Sequence, residues 1–339
     1  MQIGKSYPPR CGIKNQFPIT LELAMIEVVV PLFNEEENVP ELFRRLTDAC
    51  TESAEDWRIL FVDDGSKDKT VKILRELVRS DTRYSIIELS RNFGQQAAIS
   101  AGLSQVRADA VILLDGDLQD PPELIPELVD AWRNGGQVVL ARRRSRKESG
   151  LRRIGFEVFH RVFKHLVDVQ VPPNTGTFCL LDCEALDALQ QLPEVHRFFP
   201  GLRSWIGFDQ VFVEYDRHER YMGAPKQTMK RLFRYASDGV LSFSFKPLRL
   251  MTVSGFSICA ISFLVAITFV VKRMLGAELA PVGFTTICCA VFGLGGMQLI
   301  GMGILGEYIG RIYEESKQRP LFVVRHPASV KIVEHRKAS

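Results

Sequence analysis

Five short runs rich in β-branched residues, each followed by a helical pattern, constrain this chain more than any other feature. They are "IEVVVPL" (26–32), "RILFVDD" (58–64), "YSIIELS" (84–90), "AVILLD" (110–115) and "QVVLA" (137–141). Between them, "NVPELFRRLTDAC", "KDKTVKILRELVRS" and "GQQAAISAGLSQV" repeat apolar residues at spacings of three and four. Such alternation predicts an α/β fold, a mostly parallel sheet with right-handed crossovers and helices on both faces.

In sheets of this kind, ligands gather outside the carboxyl ends of the strands. Those ends carry Asn34 and Glu35, Asp63 and Asp64, Arg91 and Asn92, Asp115 and Asp117, and Arg142 and Arg143. Five strands therefore bring charged or amide groups to one rim. The stretch "LDGDLQDPPE" (114–123) sets four carboxylates after an apolar strand. A D-x-D alone is commonly a solvated turn; its place on a shared rim lifts it above that reading. Asp115 and Asp117 are expected to point into the rim, while Asp120 and Glu123, beside Pro121 and Pro122, begin the next helix. The sequence has neither GxGxxG after the first strand nor GxxxxGK[ST] anywhere. Nucleotide phosphates would need another counter-charge, and paired carboxylates holding Mg²⁺ or Mn²⁺ can supply it.

The charge of +3 is the small difference of 43 basic and 40 acidic residues, so no global field points to nucleic acid. The seven cysteines are scattered, without a CxxC pair, and read as reduced thiols facing the cytosol. Residues 1–25 form an extension that lacks the apolar core of a signal peptide. Two uncharged runs, 250–271 and 279–306, reach the roughly 20 residues needed to span a bilayer. They predict transmembrane helices at 250–272 and 279–306. Lys226, Lys230, Arg231, Arg234, Lys246 and Arg249 precede the first, and Arg311, Lys317, Arg319 and Arg325 follow the second. Both outer flanks are then cytoplasmic, which expects an integral inner-membrane protein with two spans and both termini inside. Segments 152–168 and 228–245 read as basic amphipathic helices, the second within a juxtamembrane stretch at 226–249.

The motifs "VVVPLFNEEENV", "FVDDGSKDKT", "SRNFGQQAAISAGL", "DGDLQDPPEL" and "RHERYMGAPK", followed by the two apolar runs, resemble one family. It is the family-2 GT-A glycosyltransferases that load a sugar onto a polyisoprenyl phosphate, and the resemblance covers about residues 26–315. It implies a GT-A (Rossmann-like) catalytic domain at 26–225, a C-terminal two-helix transmembrane hairpin and a cytoplasmic tail at 307–339. By the same resemblance Pro31, Phe33, Glu35 and Asp63 hold the nucleoside of a sugar nucleotide. Asp115 and Gly116 line that pocket, and Asp117 and Gln119 ligate the Mg²⁺ or Mn²⁺ that bridges the diphosphate. Arg142, Arg220 and Lys226 meet donor or acceptor phosphates, with Arg197 a further candidate. The implied partners are a UDP-sugar in preference to a GDP-sugar, a polyprenyl (undecaprenyl) phosphate acceptor, the membrane, and further copies of the chain in a tetramer.

Two departures stand out. Related bacterial enzymes usually read Asp-Thr-Gly-Asp-Phe where this chain has Asn174-Thr175-Gly176-Thr177-Phe178, so Thr177 replaces an acid often proposed as a base. The family's Gly-x-Ser-Lys-Tyr is here Gly223-Ala224-Pro225-Lys226-Gln227. A phosphate monoester, with a second pKa of about 6, is already largely anionic at neutral pH and needs no base to attack. The expected reaction is transfer of one hexose, with inversion, at the cytoplasmic face. Two alternatives are a processive polysaccharide synthase, whose Gln-x-x-Arg-Trp motif "GLRSW" (201–205) lacks, and a non-catalytic nucleotide-sugar-binding scaffold.

Overall fold

A computed structural model describes residues 24–144, 171–216, 244–275 and 284–326. Arg220, Lys226, segment 152–168 and nearly all of 228–245 lie outside them. The chain divides into two compact units, one holding the sheet and the other the two long helices.

All five predicted strands are present, as β1 (Met25–Leu32), β2 (Asp56–Asp63), β3 (Tyr84–Leu89), β4 (Ala110–Leu113) and β5 (Val138–Arg143). Three more join them: β6 (Thr175–Asp182), β7 (Gln210–Tyr215) and β8 (Val324–His326). The sheet order is β7-β5-β6-β4-β1-β2-β3-β8. Strands β4, β1, β2 and β3 form a parallel block. Val28, Val29 and Val30 at its centre are fully buried, as expected of strands covered on both faces. β6 runs antiparallel between β4 and β5, so β5 keeps the predicted direction but not the predicted neighbour. β8 lies antiparallel on the β3 edge, and β7 closes the other edge beside β5.

Helix α1 (Val39–Glu52) buries Val39, Leu42, Leu46, Ala49 and Cys50, the spacing that predicted it, and carries a proline in its first turn, where no helical hydrogen bond is lost. α2 (Thr70–Val78), α3 (Gln95–Gln105), α4 (Ile125–Arg133), α5 (Cys183–Gln190) and α6 (Phe199–Trp205) complete the layers. Buried Asp182 ties two of them together. It accepts the Trp132 indole N–H of α4 at 2.7 Å and caps α5 through the Glu184 N–H at 3.1 Å. Cys50 and Cys179 are buried free thiols.

The second unit contains α7 (Lys246–Met274) and α8 (Phe284–Ser316). At 1.5 Å per residue they are about 43 and 50 Å long, longer than a hydrocarbon core of roughly 30 Å. Within the unit, Tyr308 donates to the Ser244 carbonyl at 2.7 Å, and Met251 lies against Gly301. Leu250, Val253, Phe256 and Phe263 of α7 and Leu299, Ile300 and Met302 of α8 are exposed. Among the described residues one stretch, Lys246–Leu264 with a mean hydropathy of 1.5, is long and apolar enough to cross a membrane. The start of the second apolar run, 279–283, lies outside the described residues.

Candidate active site

Parallel pairing brings the carboxyl ends of β1, β2, β3 and β4 to one edge of the sheet, and the antiparallel β6 starts there too, with Thr175 opposite Arg142. The loops after β1 and β2 are laced together. Asn34 donates its N–H to the Ser66 hydroxyl (2.9 Å) and accepts the Lys67 N–H (2.9 Å). Glu35 donates its N–H to Thr70 Oγ1 at 3.0 Å, while its carboxylate accepts the Asn38 amide at 2.6 Å. Gly65 makes a further close approach possible. Its φ is +69°, and a Cβ there would lie 2.5 Å from the carbonyl carbon of Arg91, so only glycine lets the β2 and β3 loops meet.

The paired acids at the end of β2 have different tasks. Asp64 accepts the backbone N–H groups of Phe93 (2.7 Å) and Gly94 (2.9 Å) and so fixes the start of α3. Asp63 accepts the Ser66 N–H through Oδ2 at 3.0 Å, while its buried Oδ1 has no hydrogen-bond partner among the described residues. Burial raises the pKa of both.

After β4 the chain turns through the D-x-D. Half-buried Asp115 accepts the Gln95 amide at 2.7 Å. Desolvation, then the charges of Asp120 and Asp117, push its pKa up to about 7. Gly116 presses on β1, where an added Cβ would stand 2.1 Å from Leu32 Cδ2. Buried Leu118, at φ 57°, anchors the turn in the core, and the Gln119 N–H reaches Asp117 Oδ1 at 3.2 Å.

Asp120 does not begin the next helix. It is 2% exposed and accepts from Arg143 (3.2 and 3.4 Å) and from the Tyr215 hydroxyl. Glu123, in the short 3₁₀ turn Pro122–Leu124, pairs with Arg45 of α1 at 2.5 and 2.6 Å. Arg142 and Arg143 face opposite sides of β5, as neighbours on a strand must. Arg142 donates to Glu214 and lies over the Phe212 ring, 4.7 Å from its centre, whereas Arg143 grips the D-x-D turn.

Sequence reading missed Arg143, Asp120 and Tyr215 as a set, and also Arg203. The last, wholly buried on α6, donates to the Gly176 carbonyl at 3.1 Å, and the Arg143 N–H reaches the Asn174 carbonyl at 3.1 Å. Together they hold the start of β6, which carries Thr177. Arg197 donates to the carbonyls of Leu192 (2.6 Å) and Glu194 (3.2 Å), and burial lowers its pKa. Pro31 is buried and Phe33 half-buried at the end of β1, on the same rim as Glu35 and Asp63.

Asp115, Asp117 and Gln119 offer oxygen donors, and the carboxylate charges that add to burial in raising Asp115 are what a cation would relieve. Among the described residues no three His, Cys, Asp or Glu form a ready-made metal cage. Oxygen donors of this kind would fit Mg²⁺ or Mn²⁺, which take few ligands from protein and the rest from phosphate and water. A cavity of about 630 Å³ opens beside these loops, where β2 and β3 end. It is of ligand size, and Asp63, Ser66, Arg91 and Arg325 are among its walls.

Sheet and acidic rim define a GT-A α/β fold. Residues 27–190 match glycosyl transferase family 2. The chain is 43% identical to an uncharacterized glycosyltransferase of Synechocystis sp., over 90% of its own length and 95% of the relative's. It is 39% identical to the bactoprenol glucosyl transferase of Shigella phage SfV, over 89% of this chain and 98% of that one. With a prophage bactoprenol glucosyl transferase homolog of Escherichia coli (strain K12) it shares 36% identity, over 88% and 98%. The chain belongs to glycosyl transferase family 2, and it is a glycosyltransferase.

Proposed function

We propose that the chain transfers one glucose from UDP-glucose to a polyprenyl phosphate of the undecaprenyl type at the cytoplasmic membrane face. The observation that carries this reading is the 39% identity running through 98% of a bactoprenol glucosyl transferase. Pro31, Phe33, Glu35 and Asp63 hold the nucleoside, with Asp115 and Gly116 beyond them, and the diphosphate lies over the D-x-D turn. Asp117 and Gln119 hold Mg²⁺ or Mn²⁺, which when bound neutralises charge on the departing nucleotide.

Two anions must meet for the reaction to proceed, since the attacking group is itself a phosphate. Arg142, Arg220 and Lys226 are assigned to orient the phosphates, a task suited to cations in a site shielded from water. Attack from the face opposite the nucleotide inverts the anomeric centre. No proton need be removed from a nucleophile whose second pKa is about 6, which accommodates Thr177 in place of an acid. The helices α7 and α8 are proposed as the two spans, with their basic flanks in the cytoplasm.

The test is transfer of labelled sugar into the lipid phase by the full chain in vesicles containing undecaprenyl phosphate. UDP-glucose, other UDP-sugars and GDP-mannose are compared, with Mg²⁺, with Mn²⁺ and with chelator. A lipid product from UDP-glucose that vanishes with chelator is expected; nucleotide release without a lipid product would sink the reading. Asp117→Asn should lose transfer at least a hundredfold with an unchanged unfolding midpoint.

A further inference from the structure

The cavity beside β2 and β3 is walled by four cations, Lys67, Arg75, Arg91 and Arg325, against two carboxylates, Asp63 and Glu88. Two of the cations are committed. Arg75 forks onto Glu88 at 2.6 and 2.7 Å, and Arg91 lies 4.0 Å over the Phe93 ring while donating to the Asn92 carbonyl at 3.0 Å. Arg325 makes no ion pair among the described residues. It comes from β8, the strand after both long helices, whose register on β3 sets Val324 against Leu89 and His326 against Glu88. The Ser90 N–H fastens the same segment through the Val323 carbonyl at 2.8 Å.

Three facts orient a ligand in this space. Asp63 ends β2 and Asp115 follows β4, two strand spacings and so about 10 Å apart; a nucleotide with its diphosphate at the D-x-D turn places its base near Asp63 and β3. Asp63 Oδ1, buried and without a partner among the described residues, requires a donor. Arg325, which can only donate, requires an acceptor. A keto base such as uracil meets both demands, because its ring N–H stands next to a carbonyl oxygen.

We propose that Arg325 is a specificity-determining residue of the donor pocket, donating to a base carbonyl while Asp63 accepts the adjacent ring N–H. The pocket thereby selects keto bases over bases that present an amino group in the same place. The proposal rests on the reading above in taking the ligand as a nucleotide, but not on the identity of the acceptor.

The experiment measures binding of UDP and CDP to the full chain in detergent, for wild type, Arg325→Ala and Arg325→Lys. Cytosine carries an amino donor where uracil carries O4. Wild type should bind UDP at least about tenfold more tightly than CDP. Arg325→Ala should lose about tenfold for UDP and little for CDP, so that the ratio falls about tenfold and leaves only the preference that Asp63 sets through the ring N–H that cytosine lacks, with Arg325→Lys between the two. The exposed position leaves the nucleotide-free unfolding midpoint unchanged. A wild-type UDP-to-CDP ratio in Arg325→Ala, or no preference in wild type, would overturn the proposal. Selective UDP binding without lipid glucosylation would instead defeat the acceptor reading and leave Arg325 its role; normal glucosylation with unaltered selectivity in Arg325→Ala would do the reverse.

Discussion

Asp63 shows how one side chain can link stability to ligand. Burial holds its pKa above the ordinary 3.8, so the native state keeps a proton that the unfolded chain has already released. Between the ordinary value and the raised one the unfolded state binds fewer protons, and stability falls as pH rises through that window before levelling. Thermal unfolding from about pH 4 upward should show this decline in the wild type and a flatter course in Asp63→Asn. Gly65 makes a complementary point about the backbone. At φ +69°, with the carbonyl carbon of Arg91 2.5 Å from any Cβ, Gly65→Ala should lower stability by more than about 1 kcal/mol and weaken UDP binding, read by denaturation and calorimetry.

Between elements, the D-x-D turn is fastened to β5 and β7 by Asp120, Arg143 and Tyr215. Arg143→Ala would strand a buried carboxylate and should cost about 3 kcal/mol, and Tyr215→Phe about 1 to 2 kcal/mol. Arg142→Ala, at a pair 38% and 44% exposed, should cost less than about 1 kcal/mol. Urea unfolding of the three variants ranks them; equal losses would contradict the division of labour. This network also marks where sequence stops being informative. The five strands and the acidic turn were legible because β-branched runs and polar strand ends are local properties. That Arg143 rather than Arg142 reaches the turn depends on which face of β5 lies over Asp120, and strand alternation separates the two arginines without saying in sequence which face that is. β6 was missed as a neighbour of β4 for a related reason: periodicity identifies a strand but not its direction or partner. Thr177 was flagged by resemblance alone, and the Arg203 beneath it gave no signal, since a buried arginine reads in sequence like a surface one.

For the whole molecule, the long helices interrupt a sheet rather than trail it. β8 pairs with β3 from beyond α8, so removing the helices by ending the chain at residue 225 also strips an edge strand. Open edges promote association. Such a chain should self-associate in size-exclusion chromatography, and appending residues 320–326 through a flexible linker should reduce this and strengthen UDP binding. Biosynthesis is affected in the same way. Domains fold as they leave the ribosome, at about 5 to 20 residues per second, yet one wall of the cavity beside β2 and β3, Arg325, is made after both long helices. A nascent chain therefore emits both apolar helices before it can complete the proposed donor pocket, so competence to bind nucleotide there should follow the emergence of the segments proposed to enter the membrane.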